Sequence, residues 1–141
     1  MADGHRFRYL IPLFEVDMGQ AVYHGNYFHL FELAREALLR EIGFGYPELV
    51  ARQLHLAVVE AHCHYRLPVR YADEIEIVTR VTQVRTRSVH FAQELYLQPD
   101  NRLATTAILK LVCINFSGKP VALPPELRNL LTPLLSHVSP P

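Results

Sequence analysis

Tryptophan is absent from this chain, cysteine and lysine occur twice each, and fourteen basic residues are balanced by fourteen acidic ones. Each shortage excludes something. At zero formal net charge there is no global basic field of the kind that draws nucleic acid, so an anionic ligand needs a local cluster of cations. Two cysteines, Cys63 and Cys113, make neither a disulfide framework nor a zinc site; both sit in apolar, strand-like runs and read as reduced core residues. No run approaches the ~20 apolar residues that span a bilayer. The start, MADGHRFRYL, carries no apolar signal segment. A cytoplasmic location without membrane insertion is therefore expected.

What is present is a large apolar fraction, 50% of the 141 residues, which rules out disorder for most of the chain and suits one domain over residues 1–141. The cations are lopsided, twelve Arg against Lys110 and Lys119, and the planar Arg fork suits phosphate and carboxylate.

Along the chain, FRYLIPLFE (7–15) reads as a first strand, with Pro12 demanding an edge or a bend. From Tyr27 to Ile42 the apolar positions Tyr27, Leu30, Phe31, Ala34, Leu38 and Ile42 fall at helical spacing, with Asn26 as N-cap and Gly43 as the stop. A short helix is expected over Pro47–Gln53. The period then changes to two. Leu56–Leu67, the stretch around Ile75–Val81, Ser88–Leu97 and Leu103–Phe116 read as strands, the last buried on both faces at a central position. Pro99-Asp100-Asn101 is a turn. A C-terminal helix or tail is expected over about 124–136. One long helix and five strands give an α+β class, a curved antiparallel sheet wrapping the helix. The sheet face away from the helix would keep apolar residues, so a second subunit is expected over it.

The segment with chemistry in it is EVDMGQAVYHGNY (15–27), which joins a strand to a helix start. A helix N-terminus leaves backbone N–H groups unpaired and partly positive, a ready site for a developing oxyanion. The carboxylate of Asp17 nearby is a candidate general base or nucleophile toward a carbonyl. By itself an Asp before a helix is more commonly a cap or turn residue.

VDMGQAVYHGNYFHLFELAREALLREIG resembles the signature of the 4-hydroxybenzoyl-CoA thioesterase-like branch of the hotdog superfamily, in particular the YbgC-type acyl-CoA thioesterases. That family shows T-D-x-x-G-x-V-Y-H-G-N-Y followed by F/W-E-x-A-R-x-E-x-L-R. The matches are Asp17, Val22, Tyr23, His24, Gly25, Asn26 and Tyr27, then Phe31, Glu32, Ala34, Arg35, Glu36, Leu39 and Arg40. Tyr65 to Asp73 resembles the family's Y-x-x-P-x-R-x-x-D segment, Arg85, Ser88 and Phe91 fit its R-x-x-S-x-x-F strand, and Leu123-Pro124 fits its terminal LP. Two positions depart from it: Val16 replaces the usual Thr, and Gln20 stands where the family has Gly. The resemblance implies a hotdog fold that pairs into dimers and often tetramers, with the active site at the dimer interface and no cofactor beyond the CoA of the substrate. It implies Asp17 as the catalytic carboxylate, the amide near His24, and that of Gly25, as oxyanion donors, and Tyr23 and His24 as lining.

Arg66, Arg70, Arg80, Arg85 and Arg87 lie close together in sequence and are candidates for a clamp on CoA phosphates, Arg70, Arg85 and Ser88 above all. His62 and His64 share one face of a strand, but two ligands without a third or fourth do not make a metal site, and none is expected. The expected activity is hydrolysis of an acyl-CoA. A non-catalytic acyl-CoA-binding protein and a thioesterase acting on acyl carrier protein are the alternatives; the His/Asp or His/Glu pattern of a hotdog dehydratase is not found. The acyl group is left open, as is the choice between Asp17 as base and as nucleophile.

Overall fold

The structure, a computed structural model, describes residues 4–136. The outermost residues of the expected domain, 1–3 and 137–141, lie outside the described residues. The elements run β1 (His5–Leu10), a 3-10 turn (Leu13–Glu15), a second 3-10 turn (His24–Asn26), α1 (Tyr27–Glu41), α2 (Tyr46–Ala51), β2 (Leu54–Tyr65), β3 (Glu74–Val84), β4 (Ser88–Leu97), β5 (Arg102–Asn115) and α3 (Pro125–Leu131), closed by a 3-10 turn at Thr132–Leu134. All strand pairs are antiparallel, in the order β1-β3-β4-β5-β2. This is the expected α+β hotdog arrangement, one long helix against one curved sheet.

The core is the apolar stripe of α1 pressed on one face of the sheet. Leu30, Phe31, Ala34 and Leu38 meet Ile75, Ile77, Phe91, Leu95 and Leu109, and all nine are buried. One polar network is enclosed with them. The Arg35 guanidinium donates to Gln93 Oε1 (3.0 Å), and Gln93 Nε2 donates to Phe31 O (2.9 Å) and Thr79 Oγ1 (3.0 Å). Burial pulls the Arg35 guanidinium below its usual range, while Glu32 and Glu36 hold it up.

Four expectations need correction. The first strand ends at Leu10, because Pro12 cannot continue a ladder; Leu13–Glu15 turn instead. Asn26 does not cap α1. It already has helical dihedrals, and its side chain donates to Glu15 O (3.1 Å), so the turn into the helix begins at Tyr23. The long apolar strand β5 is not the central one: it lies between β4 and the edge strand β2, and Ile108 on its outer side is 41% exposed. The outer face of the sheet is also not apolar. It carries Arg6 and Arg8 on Glu76 (2.7 and 3.0 Å), Arg80 on Glu94, and beside them His90, Lys110, Glu60, His62 and His64. Ile108 is an exposed apolar residue on that face; others stand on β2, at Val58 and Val59, and in the loop at Leu13, Phe14 and Met18.

The sheet's open edges differ. β1 pairs with β3 over six residues, and beyond Thr79 the edge of β3 is closed by the C-terminal segment through a parallel bridge between Val81 and Leu135 and by Ser136 N–H donating to Val81 O (2.8 Å). β2 pairs only with β5 among the described residues, so its other edge is free along twelve residues.

Candidate functional site

Residues 16–22 form a small hairpin. Val16 and Val22 bridge its base, Asp17 N–H donates to Ala21 O (3.1 Å), and Gln20 N–H donates to Asp17 O (3.0 Å). Closing so tight a turn places Gln20 at φ 66°, the left-handed region that favours glycine. Asp17 Oδ1 accepts the Gly19 N–H at 2.8 Å, which orients the exposed carboxylate. The fit at Gly19 is close: a Cβ there would stand 3.1 Å from Asp17 Oδ1, so the carboxylate would have to shift by a few tenths of an ångström. The turn residue and the candidate catalytic residue are thus the same Asp.

The hairpin delivers the chain to the helix start. Tyr23 N–H is committed to Glu15 O (3.1 Å) and Asn26 N–H to Tyr23 O (2.8 Å). Among the described residues the N–H groups of His24 and Gly25 have no protein acceptor. They are the free donors of the turn that continues into α1, where the helix dipole adds partial positive charge. Tyr23 and His24 stand exposed, rings 4.2 Å apart, beside these amides.

Two residues that the sequence reading did not single out hold this turn. Glu15 is buried, 2% exposed; its carboxylate meets His29 Nδ1 at 3.3 Å, and its carbonyl takes both Tyr23 N–H and the Asn26 amide. Tyr65, the last residue of β2, donates its hydroxyl to His24 O at 2.9 Å and meets the buried Tyr27 edge-on at 5.0 Å. The only sequence signals were a carboxylate inside an apolar run, and a tyrosine matched within the family's Y-x-x-P-x-R-x-x-D segment.

The arginines do not gather as one clamp. Arg70 sits at the Asp17 end of the sheet, next to Val69, whose carbonyl takes Val22 N–H at 2.7 Å. Arg80 lies mid-strand on the outer face, paired with Glu94. Arg85, Arg87 and Ser88 lie at the opposite end of β3, where they line a shallow depression with Thr86. There Gln83, with its amide oxygen turned inward, accepts from Arg85 Nε and Nη2 at 2.8 and 2.7 Å, and Arg128 reaches the Arg85 carbonyl at 3.4 Å. His90 feels this cluster: desolvation first, then the charges of Lys110 and Arg85, hold its imidazole below the usual range, against Glu60. Eleven residues of β3 at ~3.3 Å each put about 30 Å between the two ends.

From the helix start a groove runs between α1 and β2, with two pockets of about 250 and 410 Å³ that share Glu32, Arg35, His55 and Leu56. Phe28 and His29 stand at its beginning, directly after the free amides. His62 and His64 face Ile108 and Thr106 on the outer side, and no third ligand-type residue joins them among the described residues. No helix among the described residues is long and apolar enough to cross a membrane.

Residues 11–131 match the model of the thioesterase-like superfamily. The acyl-CoA thioester hydrolase YbgC of Shigella flexneri is 32% identical over 121 residues, covering 84% of this chain and 90% of that protein. The acyl-CoA thioesterase YbgC of Haemophilus influenzae is 29% identical, covering 89% of this chain and 93% of the relative. A crystal structure of a hypothetical protein from Aquifex aeolicus superposes with a TM-score of 0.84 at 27% identity, over 90% of this chain and 98% of that one.

Proposed function

The chain belongs to the thioesterase-like superfamily and is a thioester hydrolase, and from that premise we propose that it splits an acyl-CoA into the free acid and CoA with Asp17 as the reacting carboxylate. One observation carries the reading. A single loop carries both an exposed carboxylate, bonded to the Gly19 N–H, and two unpaired amides at a helix start. The thioester carbonyl oxygen lies against the His24 and Gly25 N–H groups, where the charge of a tetrahedral intermediate develops. Asp17 either attacks the carbonyl carbon, releasing CoA thiolate and leaving an anhydride that water opens, or takes the proton of an attacking water. Trapping an acyl group on Asp17 separates the two routes. CoA enters as part of the substrate, and the chemistry uses no further cofactor.

The acyl group occupies the groove that starts at Phe28 and His29. The unit of catalysis is a dimer, with a tetramer as the larger assembly and the cytoplasm as its place. The free β2 edge, with Val58 and Val59 exposed, is the surface on which a second copy adds an antiparallel strand. A two-fold axis there brings the β3–β4 end of one copy, with Arg85, to the Asp17 end of the other. Arg70 of one chain and Arg85, with the Ser88 backbone, of its partner then flank the CoA arm.

The test is D17N. Its free-CoA release across short aliphatic, long aliphatic, phenylacetyl and hydroxybenzoyl CoA esters is expected to fall roughly a thousandfold with folding and assembly intact. Turnover near the wild-type rate overturns the mechanism. A wild-type chain that binds these esters without turnover points to a non-catalytic binder, and turnover only of acyl carrier protein esters to the other donor.

A further inference from the structure

We propose that Tyr65 is a positioning residue for hydrolysis: by bonding the His24 carbonyl it polarises the peptide whose N–H is that of Gly25, and so sharpens the oxyanion donor. This rests on the helix start being the carbonyl-binding site.

The argument begins with peptide chemistry. The His24 carbonyl and the Gly25 N–H belong to one planar unit, and a donor on the oxygen draws electron density from the nitrogen. A strengthened N–H with no protein acceptor is preorganised for an external one. Tyr65 reaches this peptide across forty-one residues of sequence, from the end of β2, at 2.9 Å. Its aim is fixed by Tyr27, which is 3% exposed and packs edge-on against it. Desolvation first, and then the neighbouring Cys63, push the Tyr65 phenol up to about 12, so the proton that makes this bond is held throughout the working pH range. The Tyr23 ring lies close over the turn: a Cβ on Gly25 would stand 3.0 Å from it.

A bond that served only to tie β2 to the helix would matter for stability and not for the carbonyl. Y65F removes the hydroxyl and keeps the ring. With the best-turned-over CoA ester of the panel, kcat is expected to fall about fivefold at unchanged KM, with melting temperature and oligomeric state as in the wild type. In D17N, which holds the ester unhydrolysed, difference infrared spectra of a carbonyl-labelled substrate read the polarisation directly. The stretch is expected to move toward the free-thioester value in D17N/Y65F, and further from it when 3-fluorotyrosine, a stronger donor, stands at position 65. An unchanged kcat, a loss confined to KM, or a rate loss with an unmoved stretch overturns the proposal. If Y65F melts early, the fluorotyrosine chain, which keeps ring and hydroxyl, decides it by its stretch. A D17N chain that turns over normally strikes the reading of Asp17; an inactive D17N beside a fully active Y65F strikes only Tyr65.

Discussion

At one end of the sheet stand Asp17, the buried Glu15 and two unpaired amides; at the other stand Arg85, Arg87 and Arg128 around the β3–β4 turn. The first end is braced by main-chain bonds among residues 15–26, a rigid setting of the kind a reacting carbonyl needs. The second presents guanidinium groups on an exposed turn, suited to a flexible polyanion. The strand that separates them sets the two ends about 30 Å apart. In the proposed dimer, chemistry and grip are divided within the protomer and reunited where the Asp17 end of one copy meets the β3–β4 turn of the other.

Mixing variants breaks that comparison most sharply. D17N chains and R85A/R87A chains are each expected to be poor enzymes alone well below KM. Dimers formed by refolding them together contain one intact site in the mixed pairs and should recover roughly a quarter of the wild-type rate. No recovery would mean that both ends serve the same chain, and full activity of R85A/R87A alone would mean that the β3–β4 turn is idle. A smaller effect is expected from R85A/R87A itself, a rise in KM of about tenfold for the CoA ester and none for a truncated thioester lacking the nucleotide. Equal effects on both esters would remove the β3–β4 turn from CoA binding.

The third effect is a titration. Protonation of His90 is disfavoured in the folded chain, first by desolvation and then by Lys110 and Arg85. Its share of stability is therefore complete above the ordinary histidine range and is lost as pH falls through that range and below it. An anion bound beside Arg85 offsets the charges of Arg85 and Lys110. Adding CoA should then raise the His90 titration midpoint in an NMR series, and an unmoved midpoint counts against phosphate binding there. The smallest effect belongs to the catalytic end. Q20G relieves a left-handed non-glycine residue but loosens the unfolded chain, for a net gain under about 1 kcal/mol and a melting point higher by a few degrees.

Much of this was legible in the residues. The helical spacing from Tyr27 placed α1 within one residue, and the change to period two located four strands, because both signals are local repetitions. Asp17, Tyr23, His24 and Gly25 were legible through their motif, and they do share one loop. The rest depends on distance in sequence. Asn26 looked like a cap because its type favours one; the tertiary contact with Glu15 claimed its side chain instead. Glu15 and Tyr65 act on main-chain atoms far along the chain, which no spacing rule can reveal. The run of arginines looked like a cluster because sequence proximity hides the direction of a strand: Arg70 and Arg85 are near in number and at opposite ends in space. The outer face looked apolar from composition, whereas Glu76 and Glu94 are covered by arginine stems and bonded to their heads.

The unequal edges of the sheet also set a limit on growth. β1 is six residues long, bears Arg6 and Arg8, runs into Pro12, and has the C-terminal segment laid along the strand it leaves uncovered. That border is blunted against strand addition. The opposite border is long and free. A sheet that can accept a strand on one side only does not support open-ended growth: addition at β2 would use up the free edge, which works against a fibre.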